Sequence, residues 1–228
     1  MSLIFEPKPT PVVEISGSKQ KFPINRIYCV GLNYIDHVLE FGEDPKKVRP
    51  VYFMKPADAV IADGHNVPYP AHTKNFHYEV ELVIAIGKRG SNIKESEAED
   101  HIYGYAVGND LTRRDMQISL KNKGMPWGPS KGFDKSAPIS AIYPANIIGH
   151  PKKGRIWLSV NGVIKQDSNI DQMIASNSKI IAELSELFVL EPGDLIYTGT
   201  PSGIGAVFAG DQMDAGIDGI GTLMNRVV

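Results

Sequence analysis

Cysteine is almost missing from this chain. Cys29 stands alone among 228 residues, so no intrachain disulfide can form, and the composition suits a reducing, cytoplasmic setting. No apolar run approaches the roughly 18 residues of a membrane-spanning helix, and no signal-like apolar segment follows the N-terminus. No membrane partner is expected. Basic blocks are missing too, and a formal net charge of -2 argues against nucleic acid as the main partner. No repeat at a period of roughly 20–50 residues and no low-complexity tract is visible, which excludes solenoids and tandem arrays. With 42% hydrophobic residues, the chain can build one sizeable core, or one core and a small appendage.

The stretch that is present and informative is His77-Tyr78-Glu79-Val80-Glu81-Leu82-Val83-Ile84-Ala85-Ile86. Its β-branched and aliphatic residues predict a buried strand ending at Gly87. Side chains alternate faces with period two, so Glu79 and Glu81 point the same way, opposite Val80, Leu82, Ile84 and Ile86. Two adjacent carboxylates leaving water on a core strand call for a cation. An all-oxygen pair favours a hard divalent ion such as Mg²⁺, Mn²⁺ or Ca²⁺. The same pair at the solvated end of an edge strand would need no metal, and the residues alone leave both readings open.

The rest of the chain supplies further candidates. Residues 1–25, with Pro7, Pro9, Pro11 and Pro23, read as a loosely structured lead-in with one short strand near Val12–Ile15. A strand at Ile27–Gly31 precedes a helix over Tyr34–Phe41, with Asn33 as its N-cap. His37 and Glu40, at i and i+3, share one face of that helix. They are either a carboxylate-oriented general base or a routine surface pair. Val51–Pro56 is a strand whose Lys55 is expected in solvent, and residues 95–103 form a short acidic helix. Asp110 ends a further strand, as a helix N-cap or as a third oxygen ligand. A helix over Leu111–Lys123, stopped by Gly124, carries Arg114, Gln117 and Lys121 as one polar stripe. That face either holds an anionic substrate or is simply solvated. Lys131 sits in a loop rich in glycine and proline, where function often concentrates. Asn161-Gly162 predicts a type I′ hairpin, and a helix is expected over Ser178–Phe188. The glycine-rich turn Gly199–Gly205 could bind an anion through its N–H groups, although it lacks the Gly-Lys-Ser/Thr ending of a P-loop. The architecture expected is one α+β domain, mainly β, with a few short helices.

Six segments in this order resemble the fumarylacetoacetate hydrolase family from Ile27 to Val228. They are Gly31-Leu-Asn-Tyr-Ile-Asp-His37, Phe53-Met-Lys-Pro56, His77-Tyr-Glu79-Val-Glu81-Leu, Asn109-Asp110-Leu-Thr-Arg-Arg114-Asp-Met-Gln117, Lys131-Gly-Phe-Asp134 and Thr198-Gly-Thr200-Pro-Ser-Gly-Ile-Gly205. The length and the Pro126-Trp127 to Lys131 segment are most similar to the acylpyruvate hydrolase branch. That branch includes fumarylpyruvate hydrolases and oxaloacetate-decarboxylating members.

The resemblance implies a mixed β-sandwich roll over residues 26–228, a homodimer, and a Mg²⁺ or Mn²⁺ held by Glu79, Glu81 and Asp110. It implies that the helix bearing His37 and Glu40 is a lid, that Arg114 and Gln117 lie near the substrate, and that Lys131 lies beside the metal. Thr200 is implied where the glycine-rich turn meets the substrate carboxylate. The expected reaction is hydrolysis of the C–C bond of an acylpyruvate such as fumarylpyruvate, a product of aromatic catabolism, to pyruvate and a carboxylic acid. His37 and Glu40 would activate water, and Lys131, its pKa depressed by the nearby cation, would donate a proton. A distal fumaryl carboxylate would need one more cation, from Lys46, Lys47, Arg49 or Lys123. Decarboxylation of oxaloacetate, isomerisation or decarboxylation of dicarboxylic aromatic catabolites, and a catalytically silent metal–dicarboxylate binding module are the alternatives.

Overall fold

In a computed structural model, which describes residues 3–40, 42 and 44–228, the Val80–Ile86 strand is buried at all seven positions. Both of its faces are covered, which is why its sequence is nearly all aliphatic. Val80, Leu82, Ile84 and Ile86 join a core with Tyr105, Leu158 and Leu184. Val83 and Ala85 face a second cluster with Ile27, Ala137 and Leu195. The sheet runs in the order Val51–Lys55, Ile27–Gly31, Leu195–Tyr197, Val80–Ile86, Ile102–Asn109, Ala137–Ile139, Val60–Ala62. Leu195–Tyr197 pairs in parallel with Ile27–Gly31 and antiparallel with Val80–Ile86, so the sheet is mixed. A second sheet, Val163–Asn169, Arg155–Val160, Gln212–Ile217 and Gly221–Arg226, packs Ile156, Leu158 and Met213 into the first core. Its hairpin turns at Asn161 and Gly162 with φ of 51° and 79°, the left-handed pair that a type I′ turn requires. The fold is mainly β with a few short helices.

Several elements differ from the sequence expectation. The long strand breaks at Glu79 into Phe76–Tyr78 and Val80–Ile86, and Phe76–Tyr78 belongs to a small separate sheet with Thr112–Arg113 and Gly205–Ala206. Val12–Glu14 pairs with Lys21–Pro23 and buries Val13 and Phe22 in the second cluster, so this part of the lead-in is ordered. The first helix is Ile35–Glu40, and Phe41, where it was expected to end, lies outside the described residues. Asn33 does not cap it. Its side chain is buried and bonded to Ala175 N (2.7 Å), Ala175 O (3.1 Å) and Thr198 O (2.8 Å). The helix after Asp110 starts late, at Arg114–Asn122, because Thr112 and Arg113 are taken into the small sheet. Gly124, at φ +63°, follows its end. The acidic segment is a 3-10 helix, Glu95–His101, and the later helix is Asn177–Leu187. Among the described residues no helix is long and apolar enough to cross a membrane.

Candidate metal centre and active-site cleft

The break at Glu79 creates the site. Where Phe76–Tyr78 and Val80–Ile86 part company, two backbone N–H groups lose strand partners and are met by side chains instead. Asn109 Oδ1 accepts from Glu79 N at 2.8 Å and Gln166 Oε1 from Val80 N at 3.0 Å. Asp110 N then donates to Glu79 O at 2.8 Å, which brings the end of Ile102–Asn109 alongside. The result is that Glu79, Glu81 and Asp110, all buried, each offer a carboxylate oxygen within 4.8 Å of the other two. Asp110 caps no helix, since the next one begins at Arg114 with Arg113 as its N-cap.

Three buried cations surround the three acids. Lys131 Nζ lies 2.6 Å from Glu79 Oε2 and 2.7 Å from Asp110 Oδ2. Arg114 donates to Glu79 Oε1 and to Gln117 Oε1. Lys55 Nζ stands 2.7 Å from Asp110 Oδ1. Glu81 has no cation in ion-pair contact among the described residues. Among the described residues its hydrogen-bond partner is Gly199 N, at 2.8 Å. Burial pushes Glu79 up, but Lys131, Arg114 and His37 outweigh it and hold the group well below the ordinary carboxylate range. Burial, then Asp110 and Glu79, push Glu81 well above that range. Two neighbouring carboxylates are thus driven apart, Glu79 towards the ionised form and Glu81 towards the protonated one. Asp110 Oδ1 is buried and ion-paired with Lys55, but among the described residues no group is aligned to donate a hydrogen bond to it. A carboxylate oxygen with no aligned hydrogen-bond donor, a carboxylate without an ion-pair partner among the described residues and an all-oxygen donor set together fit a hard divalent ion.

Lys131 departs from expectation in its electrostatics. Burial lowers its pKa, yet Asp110 and Glu79 prevail and leave it above the ordinary lysine value. It lies at the end of a short helix, Gly128–Lys131, rather than in an open loop.

The remaining predicted residues gather around the same cleft, a cavity of about 50 Å³ lined by His37, Arg114, Gln117, Lys131 and Thr200 as well as by the acids Glu79 and Glu81. His37 is buried and its Nδ1 lies 3.0 Å from Glu40 Oε2. A carboxylate only accepts, so Nδ1 carries the hydrogen and Nε2 is left as acceptor. Burial lowers the His37 pKa, against the opposing pull of Glu79 and Glu40. Glu40 Oε1 also accepts from Gly203 N at 3.4 Å, joining the helix to the glycine-rich turn. Thr200 Oγ1 accepts from Gln166 Nε2 at 2.8 Å. Arg114, not Arg113, faces in: Arg113 lies over the Phe133 ring at 4.4 Å and donates to Pro129 O.

Sequence reasoning missed several contributors. Lys55 is buried, not solvated as expected, and period two does place it on the face of Phe53, which lines the cleft. Gln166 ties Val80, Thr200 and Pro201 together from the far hairpin. His77 accepts from Arg114 Nε at 3.4 Å while its Nε2 donates to Asn75 Oδ1 at 2.8 Å. Burial and Arg114 lower its pKa to about 4, so it is a neutral prop for the arginine. Gly199 is a conformational requirement. Its φ is +100°, and a Cβ there would meet Asn33 Cβ at 2.7 Å.

Comparison with known proteins agrees with this geometry. Residues 26–228 match the family described as fumarylacetoacetate (FAA) hydrolase C-terminal. A fumarylpyruvate hydrolase of Pseudomonas aeruginosa, solved with Mn²⁺ and pyruvate, superposes with a TM-score of 0.98 at 49% identity, covering 100% of this chain and 99% of that one. A fumarylpyruvate hydrolase of a Ralstonia species is 47% identical over 74% of this chain and 88% of its own length. The mitochondrial oxaloacetate tautomerase FAHD1 of Rattus norvegicus is 44% identical over 88% of this chain and 90% of its own.

Proposed function

This chain belongs to the fumarylacetoacetate hydrolase family, and within it we propose that the protein is a metal-dependent hydrolase of acylpyruvates of the fumarylpyruvate kind. The observation that carries the reading is the buried convergence of Glu79, Glu81 and Asp110 with Lys131 bonded to two of them. The similarity to a fumarylpyruvate hydrolase solved with Mn²⁺ and pyruvate supports it. The three carboxylates would hold Mg²⁺ or Mn²⁺, which when bound supplies Lewis-acid polarisation of the substrate's 2-oxo acid end.

The chain's own residues do the rest. Arg114 and Gln117 bind and orient the 2-oxo acid carboxylate, with Thr200 closing on it from the glycine-rich turn. His37, its Nδ1–H held by Glu40, accepts at Nε2 a proton from a water that attacks the distal carbonyl. An oxygen–carbon bond forms at the acyl carbon. The bond from that carbon to the methylene then breaks, and its electron pair leaves as pyruvate enolate. The Lys131 ammonium faces the oxygen where that charge grows and returns a proton to the carbon. The products are a carboxylate and pyruvate, with one water consumed.

Turnover of fumarylpyruvate, acetylpyruvate and oxaloacetate, each with Mn²⁺ or Mg²⁺ and with chelator, tests the proposal. Acylpyruvate hydrolysis that disappears with chelator is the expected result. Loss of the proposal follows from failure to cleave any acylpyruvate with metal present, or from undiminished cleavage after exhaustive metal removal. The 44% identity to an oxaloacetate tautomerase favours a second reading, in which the same enolate-stabilising groups act on oxaloacetate without nucleophilic water. Accelerated keto–enol interconversion of oxaloacetate, or release of carbon dioxide from it, with acylpyruvates untouched, would select it. A silent binding module would turn over none of the three. We extend the proposal to a cytoplasmic homodimer; the lone cysteine of the sequence, Cys29, suits a reducing compartment.

A further inference from the structure

We propose that Gln166 is a positioning residue that makes Thr200 a one-way hydrogen-bond donor towards the carboxylate of a bound 2-oxo acid. The inference rests on the 2-oxo acid reading of the cleft and deepens it. Gln166 belongs to the Val163–Asn169 strand, at the edge of the second sheet, and is the one buried position of that strand. The reason is a bulge. Leu158 pairs with Gln166 and Ser159 with Ile164, so Lys165 is an extra residue on this side of the ladder. The strand is re-aimed there, and a fully buried amide turns inward.

Burying an amide is costly unless its oxygen and both of its N–H groups find partners. Here all three do. Oε1 accepts from Val80 N at 3.0 Å, and Nε2 donates to Thr200 Oγ1 at 2.8 Å and to Pro201 O at 2.9 Å. The orientation has no alternative. Turned over, the amide would set N–H against the Val80 N–H and oxygen against the Pro201 carbonyl. Thr200 Oγ1 is therefore an acceptor from Gln166. A hydroxyl has a single hydrogen, and an amide nitrogen has no lone pair to receive it. Among the described residues no protein acceptor takes that hydrogen. Thr200 is buried and lines the cleft beside Glu79, Glu81, Arg114 and Gln117, so the group it meets there is the ligand. A carboxylate only accepts, and a hydroxyl committed to donating matches it.

The same amide sets position as well as direction. Val80 lies between Glu79 and Glu81, so one side chain ties the strand of the carboxylates to the turn that carries Thr200. That turn rests on the bulge backbone to backbone. Gly203 has a φ of +91°, and a Cβ there would collide with Lys165 O.

The test is a double-mutant cycle at saturating Mn²⁺, with pyruvate as the probe and its affinity read by calorimetric titration. Thr200→Val should weaken pyruvate binding about tenfold, the usual effect of losing a hydrogen bond to a charged group, and Thr200→Ser should keep it within about threefold. Gln166→Met should weaken it about fivefold while Thr200 is present, and less than about twofold in the Thr200→Val background. A merely structural Gln166 would weaken binding by the same factor in both backgrounds, because its stability cost does not pass through Thr200. Equal factors therefore overturn the assignment, as does a Thr200→Val protein that binds pyruvate like the wild type. Were Gln166→Met not to fold, the Thr200 pair still decides. Serine near wild type with valine about tenfold weaker supports the donating hydroxyl, and equal affinities overturn it. A wild type that binds no pyruvate with Mn²⁺ present removes the 2-oxo acid reading itself, and this inference with it.

Discussion

Replacing Glu81 by glutamine separates what the site does for function from what it does to the fold. Glu81→Gln preserves the side chain's size, and its amide oxygen can still accept from Gly199 N, the 2.8 Å bond now made by the carboxylate. It removes an ionisable group that burial, Asp110 and Glu79 push well above its ordinary value of 4.5. Above that ordinary value the unfolded chain gives up the proton, whereas the folded, metal-free protein keeps it. The native state then binds more protons than the unfolded state, so stability falls as pH rises. The slope is about 1.4 kcal/mol per pH unit for as long as the proton is held. The loss accumulates with each pH unit between the ordinary value and the raised one, against a total stability of roughly 5–15 kcal/mol. The variant lacks this slope. In guanidinium denaturation with chelator, its stability relative to wild type should therefore rise as pH rises above 5, by up to about 1.4 kcal/mol per pH unit. With Mn²⁺ at a thousandfold excess over Kd the wild type gains about 4 kcal/mol, and the variant, short of one ligand, gains less. A pH-independent difference in chelator, or equal stabilisation of both proteins by Mn²⁺, would refute the reasoning.

Two other substitutions probe the site from different sides. His37→Ala should retain Mn²⁺ affinity by calorimetry and lose about 10²–10⁴-fold in kcat, the usual contribution of a general base. Because burial lowers the His37 pKa below 6.5, the base stays neutral through pH 7, and wild-type kcat should decline only at pH values below 6.5. An acid limb above that value speaks against His37. Gly199→Ala forces a residue with a Cβ to φ +100° and into contact with Asn33 Cβ at 2.7 Å. Backbone strain and overpacking together should cost about 2–5 kcal/mol by denaturation. Because the displaced N–H is the one aimed at Glu81, Mn²⁺ binding should weaken as well. A stability change under about 0.5 kcal/mol would mean that the turn relaxes freely.

Local periodicity made part of this site legible and long-range closure hid the rest. Period two put Glu79 and Glu81 on one face, and the helical period aligned Arg114, Gln117 and Lys121, because both patterns are properties of a single segment. Asn161-Gly162 announced its hairpin for the same reason. Asn33 shows the limit. Next to a helix it reads as a cap, but its side chain is bound by Ala175 and Thr198, which are 142 and 165 residues away. Lys55 before Pro56 looks like a solvated strand end until Asp110 closes over it. Gln166 gives no local sign that it bonds Val80 across 86 residues. The break at Glu79 was hidden in turn, since the N–H groups it leaves unpaired are rescued by Asn109 and Gln166 from other strands. Polar side chains whose partners lie far along the chain are the part that a single segment's pattern does not encode.

The balance of buried charge explains why one floor can serve several reactions. Glu79, Glu81 and Asp110 face Lys55, Arg114 and Lys131, three against three when all are ionised. With a divalent ion bound, the floor carries a net charge of about +2 in a buried setting where charge is weakly screened. A 2-oxo acid brings one negative charge. Its enolate brings two, so the floor is neutralised only when the second charge has developed. That is complementarity to the state after bond cleavage or deprotonation rather than to the bound substrate, the condition under which binding energy lowers a barrier. Hydrolysis of an acylpyruvate, decarboxylation of oxaloacetate and enolisation all reach such a dianion. On this argument the floor sets the class of chemistry, and the choice among reactions falls to His37 with its water and to whatever the mouth of the cleft admits.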